Sequence, residues 1–304
     1  MRTYLFRRLI HTLLALFLML VVVFIFTQTI GDPVGLMLPE APPEAVQALR
    51  EKMGLNDPLH IQFGRYLAGL MRLDFGTSLW QGVPNLQLIL SRLPATFILG
   101  ITAITLAAGI GIVLGGLAAL RPGSMLDRIV IVMSTIAVTS VDFWVALMLI
   151  TLISVNLGWL PTSGYGDVKN LVLPAVVAAF RPMGRITQVT RPAIMEALAK
   201  EYILVARGKG LRERTVLLTH AGRNAAIVLV TLVGYEFANV VSGSVIIETV
   251  FAWPGVGFLL VQAISRRDWT LIVAATLVVG FIVITINLLI DLLYVVLDPR
   301  IRYE

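Results

Sequence analysis

Long apolar runs alternate along this chain with short polar, mostly basic, clusters, and run length decides the reading. One bilayer crossing needs about 20 residues of helix. Runs of that size occur at Leu9 to Ile30, Ala95 to Leu120, Ile129 to Val155, roughly Leu171 to Met195, about Ala225 to Ile247, and Leu271 to Leu297. The pattern predicts an all-α membrane protein of six transmembrane helices. Gly31 to about Pro94 is too long for a simple turn and carries helix signals of its own. Pro42, Pro43 and Glu44 suit a start and Gly54 a stop, and Leu59 to Leu73 sets Phe63, Tyr66, Leu67 and Leu70 on one face. The fourth run departs from the others, because Arg181, Pro182 and Arg185 interrupt it. Either its second half leaves the lipid early or those arginines face the protein interior. Loops are expected at Glu248 to Thr270 and, with a single Lys169, between the third and fourth runs. A basic island, Glu196 to Asn224, separates the fourth and fifth.

Charge sets the orientation. Arg2, Arg7 and Arg8 precede the first run, Arg121 and Arg128 follow the second, five Lys/Arg lie from Lys200 to Arg214 with Arg223 just beyond, and Arg300 and Arg302 end the chain. The remaining short loops hold Lys169, Arg266 and Arg267. The cytoplasmic excess of basic residues then predicts both termini inside, with 31 to 94 as an outer, periplasmic segment. The expected organisation is 1 to 30 as N-terminus and first span, 31 to 94 outside, and 95 to 304 as a five-helix core carrying the cytoplasmic loop 196 to 224. Composition agrees: 58% of the 304 residues are hydrophobic and 14% charged, and the mean hydropathy is +0.89, outside the range of soluble domains. The net charge of +6 sits in clusters beside apolar runs and argues for membrane lipid rather than nucleic acid as its partner. No cysteine is present, which excludes a disulfide framework and thiolate ligation. The first apolar run lacks a small-residue cleavage site and reads as an anchor, not a signal peptide.

No catalytic, cofactor-binding or metal-binding set is expected. His11, His60 and His220 are scattered, no phosphate-binding loop or nucleophile elbow occurs, and Asp74, Phe75, Gly76 matches a kinase motif by letters alone. A membrane-embedded hydrolase lacks its nucleophile and base. Polar residues inside apolar runs are the better candidates, because a mid-bilayer carboxylate costs roughly 2.5 to 3.5 kcal/mol on insertion scales. Asp142, Glu236 and Asn239 read equally as the lining of a polar translocation path or as partners of Arg181 or Arg185, whereas Asp291 reads as an ion-pair partner. Gly100, Gly109, Gly111, Gly115 and Gly116 read as a close helix contact. In the basic island, a helix over Ala199 to Lys209, a break at Gly208 and Gly210, and a resumed helix from Leu211 to Thr219 predict two short helices meeting at a glycine corner. Tyr202, Ile203, Leu204 and Val205 give that corner an apolar patch inside a basic rim, which suits insertion into a groove on a partner.

The run EYILVARGKGL from Glu201 through Leu211, with His220 and Arg223 to Ala225 beyond it, resembles the cytoplasmic EAA loop of ATP-binding-cassette importer permeases, in the dipeptide, oligopeptide and nickel branch. GLNDPLHIQFGRYLAGLMRLDFGTSL from Gly54, ETVFAWPGVG from Glu248, the Arg267, Asp268 pair and NLLIDLLYVVLDPRIRY from Asn287 are similar to further segments of that branch, its first permease above all. Gly208 stands where the family usually has alanine, and Val228 and Thr270 where proline is frequent. The resemblance implies an inner-membrane permease of a bacterial importer, without enzyme activity. Its implied partners are a second, homologous permease, two cytoplasmic ATPases that hold ATP and magnesium, and an external substrate-binding protein. It assigns ATPase coupling to Tyr202, Ala206, Arg207, Lys209, Gly210, Leu211 and Glu213. The expected solutes are dipeptides or oligopeptides, with nickel or another small solute as the alternative. A self-sufficient secondary transporter working through Asp142 and Glu236 is disfavoured, since no inverted repeat is evident and such a carrier has no use for the basic island.

Overall fold

The computed structural model describes residues 2–29, 42–44, 47, 51, 56–212 and 215–297. Most of the candidate helix between Pro42 and Gly54, Glu213, and the stop at Asp298 to Arg300 lie outside the described residues. Among those described, every regular element is helical. The order is α1 (Arg2–Thr29), α2 (Leu59–Met71), α3 (Asn85–Leu120), α4 (Met125–Thr139), α5 (Asp142–Leu149) continued by a π-helical turn at Ile150–Asn156, α6 (Val168–Leu198) and α7 (Glu201–Gly208). A second π-helical turn at Val216–Ala221 leads into α8 (Gly222–Gly243), followed by α9 (Val245–Val250), α10 (Val256–Ser265) and α11 (Trp269–Leu297). Among the described residues four helices are long and apolar enough to cross a membrane, at Phe6–Phe26, Asn85–Leu120, Thr219–Gly243 and Trp269–Leu293, and a bent pair, α4 with α5 and its π turn, makes a fifth if it is counted as one span.

The missing apolarity belongs to α6, and its surroundings explain it. It runs through Pro174, Pro182 and Pro192, each of which removes a helical hydrogen bond, and it survives because neighbours enclose it. Alongside it, α3 packs in parallel register with its small residues as the contact. A Cβ added at Gly111 would stand 2.9 Å from the Met183 carbonyl, and one at Gly115 would stand 2.7 Å from Thr190 Cβ. Across α6, Gly184 opens the same kind of contact to α4, with the Ser134 carbonyl 2.7 Å from a Cβ built there. Gly100 faces Phe237 and Val241 of the antiparallel α8. Gly109 and Gly116 meet nothing within 4 Å and take no part. The main core gathers Leu99 and Ala103 of α3, Ala146 of α5, Leu173 and Ile186 of α6, Val240 of α8 and Phe251 after α9.

Three expectations are corrected. The single third span is two helices bent by 106°. Ser140 and Val141 are extended between them, and the Ser140 hydroxyl donates to the Ile136 carbonyl at 2.6 Å, a local bond that competes with the helix. The loop expected at Glu248 to Thr270 is largely a helical hairpin, α9 and α10, whose Glu248, Phe251, Trp253, Val256 and Leu259 are buried. Its Gly and Pro content marks a tight turn inside the protein, not solvent exposure. Finally, α3 starts at Asn85 and passes through Pro94, so the second helix is ten residues longer than its apolar run. Other expectations hold. Asp291 pairs with Arg8, and α2 lays Phe63 against Phe17 and Phe24 of α1. The Asp74 to Gly76 triplet is a turn in which the Gly76 N–H donates to Asp74 Oδ1 at 2.9 Å.

The start of α11 is tied to the segment before α3. Asp268 accepts from Ser78 Oγ (2.5 Å), the Trp80 N–H (3.1 Å), Thr270 Oγ1 (2.9 Å) and the Leu271 N–H (3.1 Å). Burial pushes its carboxyl up, but these hydrogen bonds outweigh burial and hold the pKa below the ordinary value. A depressed folded-state pKa gives stability that is fully present above the unfolded value of about 4 and is lost as pH falls through the folded one. Asp268→Asn should therefore lower the unfolding temperature in detergent at about pH 7 and narrow its gap to wild type at about pH 3. For the helix contact, Gly115→Val should cost about 1–3 kcal/mol through overpacking against Thr190, whereas Gly116→Val should not overpack. Thermal unfolding of the two purified variants separates these cases.

Candidate functional site

The polar residues singled out within the apolar runs of the sequence converge. Asp142 at the start of α5, Arg181 on α6, and Glu236 and Asn239 on α8 line one cavity of about 80 Å³, closed by Ser244 and Ile247 at the start of the hairpin. Residues spaced three or four apart share a helix face, so Arg181 and Arg185 point the same way from α6, as do Glu236 and Asn239 from α8. Glu236 is 2% exposed and accepts from Arg185 Nη1 at 3.1 Å. A buried carboxylate demands such a partner. Asp142, Arg181 and the Asn239 amide form no side-chain hydrogen bond or ion pair among the described residues. The third arginine of α6 is held further along: Arg191 makes a two-pronged contact to Asp127, Nε to Oδ1 at 2.5 Å and Nη2 to Oδ2 at 2.8 Å, the geometry in which guanidinium and carboxylate bind best. Asp127 also accepts the Gly123 N–H at 2.8 Å.

Beside the cavity, Glu248 is wholly buried and joins three elements. Thr96 Oγ1 of α3 (2.8 Å) and Ser244 Oγ (2.9 Å) donate to its Oε1, and the Phe258 N–H donates to Oε2 at 3.0 Å. The carboxylate thereby caps the N-terminus of α10, where unpaired N–H groups and the helix dipole favour negative charge. Thr96 Oγ1 accepts the Val256 N–H at 2.9 Å, and Trp253 Nε1 donates to the Ala95 carbonyl at 2.8 Å. Glycine is required here: a Cβ at Gly255 would fall 2.3 Å from the Glu248 carboxylate, and one at Gly257 2.7 Å from Val245 Cα. The sequence carried this signal in the spacing of Glu248, Gly255 and Gly257, but nothing in it pointed to Thr96.

At the other end of α6, the basic island forms the corner expected of it. Ile203 and Ala206 of α7 are buried in a small cluster with Ala197, Val216 and Ala221. Gly210, at φ +73°, ends α7 in a Schellman motif: its N–H donates to the Arg207 carbonyl (2.9 Å), and the Leu211 N–H to that of Ala206 (3.4 Å). The Asn224 amide hydrogen-bonds the Tyr202 hydroxyl, fixing α7 to the start of α8. Leu204 and Val205 stay 67% and 58% exposed, an apolar patch on a helix already anchored by its other face. Arg207, Lys209 and Leu211 border it. Leu211 and Arg212, where the resumed helix is expected to begin, are not helical, and the described chain is helical again from Thr215, with a π turn at Val216–Ala221. Among the described residues no group of His, Asp or Glu could hold a metal ion.

The family described as "Binding-protein-dependent transport system inner membrane component" matches residues 111–303, and its N-terminal companion, "Binding-prot-dependent transport system membrane comp, N-term", matches residues 1–100. A putative peptide transport system permease protein of Brucella abortus is 39% identical over 283 residues, 90% of each chain. The oligopeptide transport system permease protein AppB of Bacillus subtilis is 39% identical over 288 residues, again 90% of each. The glutathione transport system permease protein GsiC of Salmonella paratyphi A is 35% identical over 306 residues, 100% of each. Among solved structures, the MetNI methionine ABC transporter shares the fold at TM-score 0.55 and 19% identity, over 70% of this chain and 97% of that one. An amino acid ABC transporter does so at TM-score 0.53 and 15% identity, over 68% and 93%.

The buried pair can be tested alone. Arg185 is 43% exposed, so solvent screens the pair on one side only. Arg185→Gln should destabilise the protein by roughly 1–3 kcal/mol by leaving Glu236 unpaired. Adding Glu236→Gln should recover much of that loss, a coupling read from a double-mutant cycle of unfolding in detergent.

Proposed function

The chain belongs to the family of binding-protein-dependent transport system inner membrane components, and we propose that it is the permease subunit through which an ATP-driven importer passes peptides. The observation that carries this reading is the similarity, along 90% or more of the chain, to permeases named for peptide, oligopeptide and glutathione transport. The charged cavity supports it, since a peptide backbone and its termini need polar partners inside a membrane. In the proposed arrangement α1, α3, the bent pair α4 and α5, α6, α8 and α11 are six crossings, with both termini cytoplasmic, 31 to 94 outside and loop 196 to 224 inside. Asp142, Glu236 and Asn239 line this chain's half of the path, and a second, homologous permease supplies the other half. An external binding protein delivers the solute, and two ATPase subunits hold ATP and magnesium.

Coupling is assigned to α7 and its corner: Tyr202, Ala206, Arg207, Lys209, Gly210 and Leu211, with Glu213 next to them. The exposed pair Leu204 and Val205, followed in the chain by Arg207 and Lys209, suits a groove on an ATPase. Closure of the ATPases would push on α7. The Schellman motif and the cluster around Ile203 make α7 move as one body with the π turn, so the push passes to α8 and the cavity changes the side to which it opens. No chemistry in this chain is needed for that step.

Gly210→Val tests the assignment. A β-branched residue resists positive φ at a cost of about 1–2 kcal/mol or more, while its Cβ meets nothing within 4 Å, so damage should stay at the corner. Transport and substrate-stimulated ATP hydrolysis should drop more than about tenfold with membrane insertion unchanged. Gly208→Ala, which fits helical backbone in open space, should leave both intact. Wild-type coupling in the Gly210→Val protein would refute the assignment.

A further inference from the structure

Four charged residues meet at or next to the cavity, and they are not equivalent. Glu236 is satisfied by Arg185, so that pair contributes no net charge. What remains facing the cavity is one carboxylate, Asp142 on α5, and one guanidinium, Arg181 on α6. Neither is engaged by a hydrogen bond or ion pair among the described residues. On the same cavity wall Asn239 offers an amide that can donate and accept. The two charges come from different helices, so their separation is set by packing of the fold and not by one helix's pitch. A cavity of about 80 Å³ accommodates the end of a peptide rather than a whole one.

Resting on the proposal that the chain is a peptide permease, we infer that Arg181 and Asp142 read the termini of a zwitterionic peptide one end at a time as it passes, Arg181 receiving the free carboxylate when that end enters the cavity and Asp142 the free ammonium when the other end does. Arg181 presents planar N–H donors matched to a carboxylate, and Asp142 presents two acceptor oxygens matched to an ammonium. Each terminus gives up water on entering the path, and the opposite charge replaces that solvation. A capped terminus offers no such replacement and leaves the corresponding side chain unsatisfied. The permease itself then discriminates between free and capped peptides, in addition to any selection by the external binding protein. The two side chains carry opposite charge, so together they add no net charge to the cavity.

The test uses the complete importer, with partner permease, ATPases and binding protein, in proteoliposomes. Uptake of trialanine, trialanine amide and N-acetyl-trialanine is measured at saturating binding protein. Gel filtration first establishes that each variant assembles. Arg181→Gln should slow trialanine at least about tenfold and leave the amide within about twofold of its wild-type rate, while Arg181→Lys keeps trialanine within about threefold. Asp142→Asn should slow trialanine and spare the N-acetyl form. Equal slowing of all three peptides would mean that the two residues only pair with each other and would overturn the inference. So would unchanged uptake of trialanine in both variants. If wild type imports trialanine but refuses the capped forms, the lysine variant decides, and a rate as poor as that of Arg181→Gln overturns the assignment. Wild type that imports none of the three would instead sink the peptide reading on which it rests.

Discussion

Hydrocarbon cannot solvate a guanidinium group, and α6 carries three, at positions 181, 185 and 191. A helix so charged is poorly suited to face lipid, and α6 is packed by α3, α4, α5 and α8. The glycines of α3 and α6 follow from the same requirement. They let backbones approach where no hydrophobic effect drives helices together. The carboxylates of Asp127, Asp142 and Glu236 come from three other elements and face α6 as its counter-charges. Arg191 and Arg185 use two of them as partners, which leaves the third arginine and the third carboxylate facing open space.

The hairpin α9 and α10 solves a related difficulty. Its turn through Ala252 to Gly255 exposes backbone groups that lipid could not satisfy. Glu248 answers part of that demand from within the hairpin by accepting the Phe258 N–H, Thr96 of α3 accepts the Val256 N–H, and the Trp253 indole ties the turn to α3 by donating to the Ala95 carbonyl. The two glycines are what the carboxylate needs in order to reach the helix end. Because Ser244 belongs both to this network and to the cavity wall, the network fixes one side of the cavity.

Much of this was legible in the sequence for a simple reason. Burial in lipid demands long apolar helices, and departures from apolarity are costly enough to be meaningful. Asp142, Glu236 and Asn239 stood out on that ground, and the structure brings them together. The corner at Gly210 was legible because few residues other than glycine end a helix at positive φ. What escaped were features set by contact across long separations. The bend at Ser140 depends on a hydroxyl bonding its own helix, which an apolar run conceals. The hairpin reads as a loop until Thr96, some 150 residues earlier, is known to face Glu248. Arg181 and Arg185 look alike in sequence, one turn apart on one face, and only the placement of Glu236 separates the paired arginine from the free one.

The unbroken passage from the π turn at Val216–Ala221 into α8 has a mechanical consequence. Gly222 to Glu236 is a rod of about 21 Å at 1.5 Å per residue, so pivoting it by about 10° about its Gly222 end would carry Glu236 sideways by roughly 4 Å. That arc exceeds the 3.1 Å that joins Glu236 to Arg185. Leverage alone, without unwinding any helix, is therefore enough to exchange one electrostatic arrangement of the cavity for another.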